Sequence, residues 1–171
     1  MSRIALTRGD MTRKHLRRQY VPIGTTIGAS LLVLLPFVVS GPYVPDFGYL
    51  AFISWRLLRP EMWTAKTSLG LGFFDDLVSG QPLGQSMALW TITLLILDFI
   101  ESRAVFRDFW MDWLLASFLI LFHTAGAWLV GLMMGSFVQF HVVWPQLALS
   151  ILAYPVIARI VVLLDRWRLT R

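Results

Sequence analysis

The sequence predicts an all-α integral membrane protein, a bundle of six transmembrane helices with both termini in the cytoplasm, and three observations predict it. All fifteen lysines and arginines fall in stretches that a six-span division places on one side. Basic flanks are retained inside while apolar segments insert. The hydrophobic fraction is 57% and the mean hydropathy is +0.66, too apolar for a soluble domain with a polar shell. A span takes roughly 20 apolar residues, so a chain of 171 residues holds six with little left over. The division is a basic cytoplasmic arm over 1–20, a transmembrane domain over 21–165 and a short basic tail over 166–171. The net charge of +5 sits beside the spans, where it meets anionic lipid headgroups rather than nucleic acid. Cysteine is absent, which excludes disulfides and a thiolate metal site.

The arm carries Arg3, Arg8, Arg13, Lys14, Arg17 and Arg18, and runs too long before the first apolar stretch to read as a cleavable signal. Val21 to Ser40 forms the first span, closed by an outward turn from Gly41 to Asp46 without positive charge. Phe47 to Leu58 is the second, only about two-thirds of a usual span. Either Pro45 begins a helix that recruits residues on both sides, or Arg56 and Arg59 extend their stems to the interface, and we expect both. Thr67 to Ser79 is a short third span rich in glycine and interrupted by acids, ended by Gly80 to Gly84. Gln85 to Ile100 is the fourth. Between Glu101 and Asp112, Phe106, Phe109, Trp110 and Trp113 recur at helical spacing, predicting an interfacial amphipathic turn. Trp113 to Met134 is the fifth span, Gly135 to Val143 an outer loop without a basic residue, and Trp144 to Leu164 the sixth. Basic termini on one side require an even number of spans, which six satisfies.

Ionisable groups inside spans are costly and are the first functional candidates. Asp75 and Asp76 lie near the outer end of the third span. Adjacent helix positions point about 100° apart, so one carboxylate should face the bundle and the other water or headgroups. The inward acid has a natural partner in the free amides where Leu83 and Gly84 open the fourth helix. The competing role for that acid is ligand binding or proton transfer. Asp98 and Glu101 lie at depths comparable to Arg56 and Arg159, which allows interhelical ion pairs or, equally, separate excursions to the headgroups. His123, beside Thr124 in the fifth span, reads as a neutral hydrogen-bonding group, with no second ligand to support a metal. Gly24 with Gly28, and Gly131 with Gly135, place two glycines on one helix face, suited to internal packing or to a partner's helix. No nucleophile elbow, phosphate loop or paired zinc-ligand motif occurs, so an enzyme acting alone is not expected, and neither is a cofactor.

The run Gly72-Phe73-Phe74-Asp75-Asp76-Leu77-Val78-Ser79-Gly80-Gln81-Pro82-Leu83-Gly84 resembles the signature of the MreD family of bacterial rod shape-determining membrane proteins. Asp76 matches the family acid and Asp75 is additional. Pro45-Asp46, the return from Trp55 to Pro60, and Tyr154-Pro155 also resemble the family pattern. The resemblance implies a non-catalytic inner-membrane component of the cell-elongation machinery, associated with MreC, the RodA glycosyltransferase, its penicillin-binding transpeptidase and the MreB/RodZ assembly. It also implies a fold similar to the substrate-binding components of vitamin transporters. The alternative is a small-molecule capture protein of that kind, with Asp76 lining a pocket. A cavity separates the two, and a scaffold should fill it with Phe73, Phe74 and their neighbours.

Overall fold

The computed structural model describes residues 20–34, 44–102, 108–136 and 139–170, and every regular element among them is helical. The basic arm, the turn at 41–43 and the centre of the amphipathic segment lie outside the described residues. Six helices follow in order: α1 (Tyr20–Leu34), α2 (Phe47–Leu58), α3 (Ala65–Ser79), α4 (Gln85–Glu101), α5 (Phe109–Met133) and α6 (Trp144–Thr170). Of these, α5 and α6 are long and apolar enough to cross a membrane.

Helix α2 forms the centre. Asp46 caps it by accepting from the Tyr49 amide at 2.9 Å, which places the start immediately after Pro45. From Gly48 to Leu57 every residue is buried, on all faces of the helix. Such a helix is apolar all round because protein surrounds it, and its length is set by the core rather than by the bilayer. This corrects the expectation for the second span. Arg56 does not reach for an interface but is buried and ion-paired within the bundle.

Aromatic rings fill the space around α2. Phe52 stacks on Trp90 of α4 with centroids 4.9 Å apart and meets Trp63 edge-on at 5.2 Å, while Tyr49 tilts against Trp90 at 6.0 Å. Aromatic pairs in such offset and edge-on arrangements contribute roughly 0.5–1.5 kcal/mol beyond the area they bury. The Tyr49 hydroxyl shares a hydrogen bond with Thr93 at 2.9 Å and donates to the Leu119 carbonyl at 3.0 Å, joining α2 to α4 and α5. Trp55 donates from its indole to Thr25 at 2.8 Å, joining α2 to α1. Away from this core, Leu95 and Phe99 of α4, Leu114 and Phe118 of α5, and Leu152, Val156 and Leu163 of α6 are exposed. Outer faces as apolar as these suit a lipid solvent.

Helices α3 and α4 form a tight hairpin. Thr64 and Thr67 make a reciprocal capping box at the start of α3, and Gly80 ends it at φ 68°, a left-handed conformation that favours glycine. Gly72 is where the two helices touch: a Cβ there would lie 2.7 Å from the backbone of Met87. Only a hydrogen side chain permits that approach.

Helix boundaries depart from expectation at three places. Helix α5 starts at Phe109, so Trp110 and Trp113 belong to its first turns. Gly135 adopts φ 86° just after α5, and the Ser136 amide closes back on the Gly131 carbonyl at 2.9 Å. The second small-residue pair therefore terminates a helix instead of forming a packing face. Helix α6 continues through Arg166 and Arg168 to Thr170, making the predicted tail its last turns. The cause is local: Arg168 is buried, donates to Asp165 at 2.6 Å and lies 5.2 Å over the Trp55 ring.

Replacing Gly72 with alanine is expected to force α3 and α4 apart and to cost about 1–3 kcal/mol. Gly70→Ala, where a Cβ meets nothing within 4 Å, should leave stability unchanged or slightly raised. Equilibrium unfolding of both variants in mild detergent checks the contrast.

Candidate functional site

The α3–α4 hairpin collects the polar chemistry at one end of the bundle, the hairpin end. Gly84 occupies the N-cap position of α4 at φ 98° and has no side chain with which to cap it. Asp76 supplies the missing acceptor from the neighbouring helix. Its carboxylate accepts from the Gly84 amide at 2.8 Å, the Ser86 amide at 2.7 Å and, weakly, the Met87 amide at 3.5 Å. The orphan N–H groups of a helix start are thus met by a full negative charge, the sign the helix dipole favours. Asp76 is 1% exposed.

Asp75 is buried as well, at 3%, which corrects the expectation that the second acid faces water or headgroups. It turns to the opposite flank of the same helix start, accepting from Ser86 Oγ at 3.0 Å and from Ser30 Oγ of α1 at 2.7 Å. Two carboxylates 100° apart converge because Ser86 offers its amide to one and its hydroxyl to the other. Gly48 of α2 makes room, since a Cβ there would sit 2.1 Å from Ser30 Oγ. Four helices meet at this node.

Beside it lies a cavity of about 240 Å³, bounded by α2, α5, α6 and the hairpin turn, with Asp46, Tyr49, Gln81, His123, Trp128 and Gln146 among its walls. Phe73 is 45% exposed on the outer face of α3, and neither it nor Phe74 lines the cavity. The expected filling by these rings does not occur, because Asp75 and Asp76 take the inward face of α3 and turn the phenylalanines away from it. His123 is buried and stacked on Tyr49 at 4.0 Å, and its Nε2 has no hydrogen-bond partner. It lies 3.8 Å from Asp46 Oδ2, which also lacks one. The expected hydrogen bond of His123 is therefore missing at Nε2, and a carboxylate stands nearby. No group of three or more metal-binding side chains occurs among the described residues.

The opposite end, the arginine end, is held by charge. Arg56 pairs with both Asp98 and Glu101, the latter through two donors at 3.0 and 2.8 Å. Of the two sequence alternatives, the ion pair is the one formed. Arg159 does not join it; it lines an apolar groove with Leu57, Tyr154 and Arg166. The acid that ties α6 down is Asp165, which accepts from Arg59 at 2.8 Å and from Arg168. The hydrogen bond to Asp165 holds the Arg59 guanidinium above its ordinary pKa. Asp165 was missed by sequence reasoning, although the depth-matching that selected Asp98 would also have selected it.

The remaining motif residues are scattered. Tyr154 is buried and Pro155 lies inside α6, and neither is among the residues that line the hairpin-end cavity. Pro45 serves the start of α2. Leu83 is 69% exposed and contributes only the backbone of the turn. Gly24 and Gly28 have open space where a Cβ would be, so they do not pack within the chain. Ser30, Ser86 and Thr93 were not singled out, and only their polarity within apolar runs marked them; Asp46 was named with Pro45 in the family pattern, without a role at a cavity.

The family model for the rod shape-determining protein MreD matches residues 19–167. No curated protein and no solved structure gives a significant match.

Asp76→Ala is expected to leave the Gly84 and Ser86 amides without an acceptor and to destabilise the protein by about 3–6 kcal/mol, since hydrogen bonds to a charged group contribute roughly 1.5–3 kcal/mol each. Asp76→Asn, which keeps one acceptor oxygen, should fall between alanine and wild type when unfolding is followed by tryptophan fluorescence.

Proposed function

The chain belongs to the MreD family of rod shape-determining proteins, and from that membership and the architecture we propose that it is a non-catalytic scaffold of the cell-elongation complex in the bacterial inner membrane. In this reading α1 to α6 are six spans with both termini in the cytoplasm. The protein binds MreC, and through it helps organise RodA, its penicillin-binding transpeptidase and the MreB/RodZ assembly for peptidoglycan synthesis.

The observation that carries the proposal is the use of the motif acids. Asp75 and Asp76 accept from Ser30, Gly84 and Ser86, an arrangement that fastens the hairpin and gives both carboxylates a structural use. Rigidity with apolar outer faces is what an adhesive membrane platform needs. Two features suit a partner helix. Gly24 and Gly28 present an uncovered small-residue face, and Gly28 borders an apolar crevice between α1 and α6 lined by Trp55, Ile157 and Val161. Anionic lipid fits the arginine end, where Arg159 and Arg166 flank the groove beside Tyr154.

The vitamin-capture alternative draws on one observation, the 240 Å³ cavity at the hairpin end. A ligand site and a scaffold role are compatible in one bundle.

Copurification tests the scaffold reading. After mild detergent extraction, MreC from the same cells should accompany the wild-type protein, and Gly24→Leu with Gly28→Leu should lower its recovery at least fivefold while melting stays unchanged. Undiminished recovery would move the partner contact off α1, and absence of MreC from wild-type preparations would sink the proposal.

A further inference from the structure

The cavity at the hairpin end has a carboxylate in its wall but no cationic side chain among its lining residues. Asp46, Asp75 and Asp76 all lie at this end, whereas the ion pairs of Arg56, Arg59 and Arg168 lie at the other. Asp76 is satisfied by backbone amides and Asp75 by two hydroxyls. Asp46 is only half satisfied: Oδ1 caps α2 through Tyr49 N, and Oδ2 is buried without a hydrogen bond. A buried carboxylate oxygen with nothing to accept from is costly.

Across from it His123 Nε2 is in the same condition. The two atoms are 3.8 Å apart, beyond hydrogen-bond range of each other, and the stack of His123 on Tyr49 at 4.0 Å holds the imidazole where it is. One donor group placed against both would satisfy both. A donor carrying several N–H bonds and a positive charge meets the geometry and the field together. Gln81 and Gln146 add amide groups, and Leu50, Ile120 and Trp128 supply an apolar wall for a short hydrocarbon stem.

We propose that this cavity is a binding site for a cationic amine, a primary ammonium or guanidinium on a short apolar stem, bridging Asp46 Oδ2 and His123 Nε2. The volume of about 240 Å³ admits either a free small amine or the end of a basic side chain from another protein. The inference rests on the cavity alone and stands apart from the adhesive role of the outer faces.

Thermal unfolding of the purified full-length chain in detergent, at matched ionic strength, tests it with three probes: 1,4-diaminobutane, an N-acetylated tripeptide amide with central lysine, and uncharged 1,4-butanediol. At about a hundred times Kd a cationic probe should raise Tm by roughly 5 °C, with butanediol inert. A response to the diamine supports a free amine as occupant, and a response to the peptide alone supports a basic side chain. Asp46→Asn keeps an acceptor for Tyr49 N while removing the charge, and should abolish the shift. Ala127→Ile, which narrows the cavity without touching a polar group, should weaken it at least tenfold in half-saturating concentration. The site is refuted if neither cation shifts Tm, if butanediol shifts it equally, or if Asp46→Asn responds as wild type. These outcomes are independent of MreC recovery.

Discussion

Twelve residues of α-helix rise about 18 Å, well short of a hydrocarbon core of about 30 Å, and the rest of the bundle is arranged around that shortfall in α2. A helix buried on every face has to finish inside protein, so both of its ends require partners. At the N-terminus Asp46 closes the first turn. At the C-terminus Arg56 lies under Asp98 and Glu101, and Arg59 reaches Asp165. Helix α4 is thereby pinned to α2 by charge at one end and by the Phe52–Trp90 stack in the middle. Helix α6 is pinned by a second charge cluster at the same end.

The two ends of the bundle solve one problem by different means. At the arginine end, guanidinium forks meet carboxylates, and part of each cluster stays accessible to solvent. At the hairpin end no arginine is available among the described residues, and backbone amides and serine hydroxyls do the work instead. Amides at a helix start cannot move away, which makes the α3–α4 junction geometrically strict. That strictness explains the motif's composition: glycine where the helices touch, glycine where the chain turns back, and an acid one turn before the turn.

Much of this was legible in the sequence because it follows from local rules. The positions of α3, α4 and the start of α6 were read from the apolar runs and from the breaks between them, the Gly80–Gly84 turn above all. The Asp76 clamp followed from the need to satisfy the start of α4. What escaped depended on three-dimensional coincidence. One of the two acids was expected to face outward because angular spacing says nothing about a serine, Ser30, arriving from α1 forty-five residues away to bury Asp75 as well. Phe73 and Phe74 were assigned to the cavity on bulk alone, although the two acids beside them already claimed the inward face. Arg159 was grouped with the wrong cluster because depth along a helix does not report direction around it. Asp46 was read as a turn residue and as part of the family pattern, whereas its free oxygen gives the cavity its character.

The pairing of Asp76 with the amides of α4 has a consequence for biosynthesis. During translation both acids of α3 emerge after Ser30 but before Gly84 and Ser86, so α3 on its own lacks the amides and the hydroxyl from which its acids accept. Its acids are satisfied in full only when α4 is present, antiparallel and in register. The hairpin is therefore the natural unit of folding at this end of the bundle, two helices that settle together, with the glycines at its apex setting their register.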